Sequence, residues 1–278
     1  MKTNYHTHCN FCDGIADPET VVKTALEKGF DVLGFSSHSP LEGEDWPLAH
    51  DEVHTYIQTI RGLQKKYENQ ILILAGMERD YIESEALWQE KRWEKEDLDF
   101  VIGSVHMVFS EKLNRLMTVD GPEELILKLI DKGYDGNARA MVEDYYDTLM
   151  LMIKRETFDF LGHLDVVKKR NKAIGFLDES ERWYLKKVKT VLDLIHKKGV
   201  PIEINTGGIF RGATDDLYPS QPILRECFRK DIPIVISSDS HDPMHLDGGF
   251  DLAVERARDA GYREQMILDR EGWRSIAL

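Results

Sequence analysis

Short apolar runs recur along the chain at Thr3 to Tyr5, Val32 to Ser36, Ile71 to Gly76, Phe100 to Gly103, Phe158 to Leu161, Ile202 to Ile204 and Ile232 to Ile236. They are rich in Val, Ile, Leu and Phe and mostly unbroken by charge, the pattern of strands buried on both faces. The stretches between them carry helical signals. Asp17-Pro18-Glu19 predicts an N-cap with proline at the first helical position, and Lys28-Gly29 closes that helix. Gly121-Pro122-Glu123-Glu124 opens another, which ends near Lys132-Gly133. A long amphipathic helix is expected from Glu179 to Lys198, stopped by Gly199. Strands alternating with helices predict an α/β fold with a parallel sheet. Two connections are long, His38 to Glu78 and His106 to His163, and both read as helical segments around the mouth of the sheet. With no Pro/Gly/Ser linker and no internal repeat, residues 1–278 are expected to form one domain.

The polar residues that end these runs change the picture. Tyr5-His6-Thr7-His8 follows the first run, Ser36-Ser37-His38 the second and Gly76-Met77-Glu78 the third. Ser104-Val105-His106, Gly162-His163 and Ser238-Asp239-Ser240-His241 repeat the pattern. His6 and His8 lie two apart on a strand end, so both face the same way. Glu78 ends a buried strand, where a carboxylate needs a cation or hydrogen-bond donors. Any one such residue is compatible with an ordinary strand end. Imidazoles and carboxylates at one end of successive strands point instead to a multinuclear metal site in a closed barrel.

Composition narrows the function. The 278 residues are 42% hydrophobic and 31% charged, ordinary values for a globular protein with ample core. A formal net charge of −14 argues against a nucleic-acid-binding surface, which would show a basic patch. No signal peptide is expected, since Met1-Lys2-Thr3-Asn4-Tyr5 leads directly into the first histidines. No apolar run approaches the roughly 18 residues that span a bilayer. Three cysteines make no disulfide framework, and a cytoplasmic location is expected.

The ordered motifs His6-Thr7-His8, Asp13-Gly14, Ser37-His38, Gly76-Met77-Glu78, Ser104-Val105-His106, Gly162-His163-Leu164-Asp165 and Ser238-Asp239-Ser240-His241 resemble the PHP (polymerase and histidinol phosphatase) superfamily. The resemblance runs from residue 6 to residue 241. It implies a distorted (β/α)7 TIM-like barrel with up to three divalent metals at the C-terminal ends of the strands. His6, His8, Glu78 and Asp239 would hold one metal. Glu78 would bridge to a second, held also by His106 and His163. Asp13, His38 and His241 would hold a third. Mixed imidazole and carboxylate ligands suit Zn, Fe or Mn alike. Such centres hydrolyse esters by acidifying water and neutralising charge on the phosphoryl oxygens.

Several features resemble the histidinol-phosphate phosphatases of that superfamily. These are aspartate at position 13, Gly76-Met77-Glu78-Arg79-Asp80-Tyr81, the long helical connections, and Asn205-Thr206-Gly207-Gly208 leading through Arg211 to Tyr218-Pro219-Ser220. The implied reaction is hydrolysis of L-histidinol phosphate to L-histidinol and phosphate, a late step of histidine biosynthesis. Glu78 and Asp239 are the expected catalytic ligands, and Arg211 and Arg170 the expected phosphate clamps. A cationic substrate would want carboxylates at the mouth, for which Glu42, Glu44 and Asp80 are candidates. His245 is a candidate proton donor. The expected partner is a small phosphate ester, with neither nucleic acid nor membrane; the oligomeric state stays open. The alternatives are a PHP-type phosphoesterase acting on nucleotides or other small phosphoesters, and a non-catalytic module holding structural metal.

Two motifs are set aside. Cys9-Asn10-Phe11-Cys12 lacks the second pair that a zinc knuckle needs. His50 and His54, spaced i, i+4, read as a solvated helix face.

Overall fold

The computed structural model describes residues 1–83 and 97–278. Its centre is a seven-stranded parallel sheet ordered β1 (Thr3–Asn4), β2 (Val32–Phe35), β3 (Leu72–Asp80), β4 (Phe100–Ser104), β7 (Phe160–Leu161), β8 (Ile202–Asn205) and β9 (Ile234–Ser237). Each of the seven apolar runs supplies one of these strands. The sheet closes on itself just past the strand ends. There Thr7 pairs with Ser240, the His8 N–H donates to the Ser240 carbonyl (2.8 Å) and the Ser240 N–H to that of His6 (3.1 Å). The result is a nearly closed α/β barrel. Strands wrapped by helices bury both faces, which is why β2, β8 and β9 are buried throughout.

Packing inside the barrel depends on close approach. A Cβ on Gly76 would lie 2.4 Å from the Phe100 ring, so glycine lets that ring rest on the backbone of β3. Phe100, Phe160 and Tyr5 then fill the lower barrel, with Phe100 and Phe160 stacked at 6.3 Å. A C-terminal hairpin, β10 (Glu264–Asp269) with β11 (Gly272–Ala277), covers this end. The Tyr5 hydroxyl donates to the Leu268 carbonyl (3.0 Å) and accepts from the Leu268 N–H (2.8 Å). Trp273 packs on Tyr5 and Phe160.

The helices follow their sequence signals. Asp17 caps α1 (Pro18–Glu27) by accepting from the Thr20 N–H. α2 (Val53–Lys66) occupies part of the first long connection. The Gly121-Pro122 signal opens α3 (Glu123–Lys128), which runs on as a wide turn to Gly133. α4 (Ala138–Arg155) and α5 (Asn171–Ile174) follow. α6 (Arg182–Lys198) ends at Gly199 with φ +76°. It starts three residues later than expected, because Asp178 accepts from the Ser180 N–H and hydroxyl and holds that segment in a turn. The short α7 (Gly207–Phe210), then α8 (Gln221–Arg229) and α9 (Phe250–Ala260), complete the shell.

One expectation is corrected. The connection from His106 to His163 is not wholly helical but begins with a hairpin, β5 (Met107–Ser110) and β6 (Arg115–Thr118). Its turn is accommodated by Asn114 at φ +49°, a conformation asparagine tolerates well. This hairpin stands over the C-terminal mouth of the barrel.

Candidate metal centre

The strand ends deliver their polar residues to one place. His6 and His8 leave β1, His38 follows β2, Glu78 lies in β3, His106 follows β4, His163 follows β7, and Asp239 and His241 follow β9. Asp13 reaches the same spot from the turn after β1, where the Cys12 and Gly14 N–H groups both donate to the Cys9 carbonyl. Asp239 sits at φ +49°, unusual for a residue with a side chain. Such backbone conformations persist where the surroundings over-determine them, commonly at functional sites. Gly207 assists, since a Cβ there would meet Asp239 Cβ at 3.0 Å and the Ser238 carbonyl at 2.7 Å.

The side chains converge in overlapping groups: His6, His8 and Asp239; His6, Glu78 and His163; and His8, Asp13, His38 and His241. His6 Nε2 lies 3.0 Å and His8 Nε2 3.5 Å from Glu78 Oε2. His8 Nε2 is 3.3 Å from Asp239 Oδ1. On the other side of Glu78, Oε1 is 3.0 Å from His163 Nε2 and 3.5 Å from His106 Nε2. His241 Nε2 is 3.0 Å from Asp13 Oδ2, and the His241 ring stacks on His8 at 4.0 Å. All nine residues expected as ligands are thus brought together, with Glu78 between two of the groups. Asp80 joins His38 and His106 in a further group.

The electrostatics suit cations. Burial alone would raise Glu78, but His6, His38 and His106 hold its carboxyl well below the usual range. Burial would likewise raise Asp239, yet Arg211 and His6 hold it well below. Burial and the neighbouring His241 and His38 push His8 down to about 3, leaving it a neutral ligand-type imidazole. His6 Nε2, His8 Nε2 and Glu78 Oε2 are buried and make no hydrogen bond. Buried polar atoms are rarely left so. His106 Nε2 and His163 Nε2 lie 3.0 Å apart, two nitrogens of which at most one lone pair is used by the other's proton. Unused imidazole and carboxylate donors aimed at shared points fit divalent metal ions.

The model of the PHP domain matches residues 4–207, about three quarters of the sequence and all but the last barrel strand. The chain belongs to the PHP-domain family. The histidinol-phosphatase of Bacillus subtilis is 28% identical over 276 residues, covering 92% of this chain and 99% of that protein. HisK of Listeria monocytogenes has the same fold, with TM-score 0.81 at 23% identity over 90% of this chain and 99% of its own. So does the histidinol phosphate phosphatase of Lactococcus lactis, solved with zinc, L-histidinol and phosphate. Its TM-score is 0.72 at 24% identity, with 95% of both chains covered.

Above the metal-type cluster of this PHP barrel lies a cavity of about 470 Å³. Leu116, Met117, Pro122 and Leu125 form an apolar wall, and Trp46 stands edge-on to His38 at 4.6 Å. Arg170 lines the cavity while its Nε donates to the Gly121 carbonyl (3.0 Å). Lys169 also lines it, paired to Asp120 at 2.7 Å. Arg211 reaches in from the end of α7 and grips Asp239.

The mouth carboxylates divide. Glu44 lines the cavity and accepts from Trp46 Nε1 (3.1 Å). Glu42 is exposed and outside the lining, so the geometry brings it no substrate contact. Asp80 is not at the mouth. Its carboxylate lies 3.1 Å from His38 Nδ1 and 2.5 Å from His106 Nδ1, buried beneath the cluster, so it orients imidazoles rather than meeting solvent. His245 packs against Phe210 and does not line the cavity. His50 precedes α2 instead of sharing it with His54, and both are exposed.

One buried acid escaped the sequence reading. Glu203, in the middle of β8, is fully buried with Oε1 2.7 Å from His6 Nδ1. The available signal was a carboxylate flanked by Ile202 and Ile204 in a strand with no exposed face.

Proposed function

We propose that this protein is a metal-dependent phosphomonoesterase that hydrolyses L-histidinol phosphate to L-histidinol and phosphate. The observation that carries the reading is the set of buried ligand atoms without a hydrogen bond, His6 Nε2, His8 Nε2 and Glu78 Oε2, in one cluster with His38, His163, Asp239 and His241, which line a cavity together with Arg170 and Arg211. The names of the relatives, matched over nearly their whole length, support the substrate.

His6, His8, Glu78 and Asp239 would hold one metal, Glu78, His106 and His163 a second, and Asp13, His38 and His241 a third, each Zn, Fe or Mn. Charge supports several ions: among the described residues, the carboxylates of Asp13, Glu78, Asp80, Glu203 and Asp239 all contact this cluster, against the guanidinium of Arg211. Bound divalent cations would supply Lewis-acid charge neutralisation and acidify water.

The chain's own residues do the rest. Arg170, whose Nη1 and Nη2 make no hydrogen bond among the described residues, would offer them to the phosphate. Arg211 holds Asp239 and would share its fork with a phosphoryl oxygen. The β5–β6 hairpin and Trp46 exclude water from the leaving-group side. Glu44, which makes no ion pair among the described residues, would accept from the cationic end of the substrate. Residues 1–278 act as one barrel domain on a small molecule, without nucleic acid. The free thiols of Cys9, Cys12 and Cys227 suit the cytoplasm. Among the described residues no helix is long and apolar enough to cross a membrane.

The test is removal and return of metal. Chelated protein should release no phosphate from L-histidinol phosphate, and Zn, Mn or Fe should restore release. Full turnover by protein shown to be metal-free would refute the reading.

A further inference from the structure

β8 is the one barrel strand that supplies none of the nine candidate ligands, although it lies between β7 and β9, which do. Its buried polar residues are nonetheless directed at the cluster. Glu203 Oε1 is 2.7 Å from His6 Nδ1. Glu203 Oε2 accepts from the His163 N–H and from Asn205 Nδ2, both at 2.9 Å. Asn205 Nδ2 also donates to Asp239 Oδ2 (3.2 Å), while Asn205 Oδ1 accepts from the Gly207 N–H (2.9 Å). Among the described residues, the only ion-pair partner of Glu203 is His6.

From this we infer that Glu203 is the positioning residue of the metal centre, setting the orientation and tautomer of His6 and tying His6, His163 and Asp239 to one another. A proton on His6 Nδ1 is held by the Glu203 carboxylate. That leaves the bare Nε2, which has no hydrogen-bond partner, facing Glu78 and Asp239. A carboxylate behind a ligating imidazole fixes the ring and raises its basicity. Here the carboxylate comes from a strand without ligands and reaches ligand-bearing segments after three others, β1, β7 and, through Asn205, β9. Asp80 gives comparable support to His38 and His106, but from β3, which also carries Glu78.

The inference rests on reading the cluster as a metal centre. It is tested on the full chain with Glu203→Gln, which keeps the volume and removes the charge, and Glu203→Asp, which keeps the charge and shortens the reach. The readouts are Zn²⁺ affinity by chelator competition and the visible spectrum of the Co²⁺-loaded protein. Glu203→Gln should bind Zn²⁺ roughly 10- to 100-fold more weakly and change the Co²⁺ spectrum. Glu203→Asp should fall between it and wild type, which keeps the test decisive if Glu203→Gln does not fold. Wild-type affinity and spectrum in the variants, even with a lowered melting temperature, would make Glu203 a residue of the fold alone and overturn the inference. If wild-type protein itself takes up no divalent ion, the metal-centre reading fails and the inference with it. If wild type loads and the variants load equally, the inference alone fails.

Discussion

Arg211 holds Asp239 in a fork: Nη2 lies 2.7 Å from Oδ2, Nη1 3.2 Å from Oδ1, and Nη1 donates to the Asp239 carbonyl at 2.8 Å. The same Nη1 is 2.7 Å from His241 Nδ1. One guanidinium therefore spans two candidate ligands and still lines the cavity. Arg211→Ala should mainly raise KM for a phosphorylated substrate, with kcat/KM falling roughly 10- to 100-fold, as for loss of a charged hydrogen bond. Steady-state kinetics decide this, and an unchanged KM would remove Arg211 from substrate binding.

His8 and Asp239 face each other at 3.3 Å within one ligand group. His8→Ala and Asp239→Ala should each lose bound metal and phosphate release together. Metal analysis beside a phosphate assay checks both. Activity retained in a variant that has lost its metal would separate the two properties.

Among the described residues Glu44 is the cavity carboxylate without a cationic partner, whereas Asp120 is already paired to Lys169. Glu44→Gln should therefore raise KM for L-histidinol phosphate several-fold and leave KM for p-nitrophenyl phosphate, which has no cationic group, unchanged. Equal effects on both would place Glu44 outside recognition of the leaving group.

Outside the ligand cluster, Asp247 accepts from Lys2, next to β1, and from Lys28, just past α1, each at 2.7 Å. Burial raises its pKa, but the hydrogen bonds and charges of these two lysines together outweigh burial and lower it. A carboxyl depressed on folding contributes stability that is present above its unfolded pKa of about 4 and lost as pH falls through the folded value. Melting of Asp247→Asn against wild type should show a deficit near neutral pH that shrinks on acidification below about 4. A deficit independent of pH would mean that packing, not charge, is responsible.

The barrel was legible because its strands are buried on both faces, so each appears as an unbroken apolar run. Most of the candidate ligands were legible because they lie at or just past the end of an apolar run, whereas Asp13, on the turn after β1, was named only through the family resemblance. What escaped depends on partners distant in sequence. Glu203 meets His6 across 197 positions, and a strand read alone shows no reason for its charge. Asp80 was taken for a mouth residue because its two imidazoles arrive from β2 and β4, neighbours that only strand order supplies. The hairpins β5–β6 and β10–β11 are short and partly exposed, and their weak alternation is lost beside long helices. Glu42 and Glu44 differ only in which way a surface loop turns.

The most direct measurement is phosphate release by metal-reconstituted protein from L-histidinol phosphate, beside p-nitrophenyl phosphate and a panel of nucleotides. The expected result is a kcat/KM for L-histidinol phosphate at least about a hundredfold above the others, roughly 2.7 kcal/mol of discrimination. Faster cleavage of a nucleotide or another phosphoester would contradict the substrate assignment and leave the barrel with a different ester to hydrolyse.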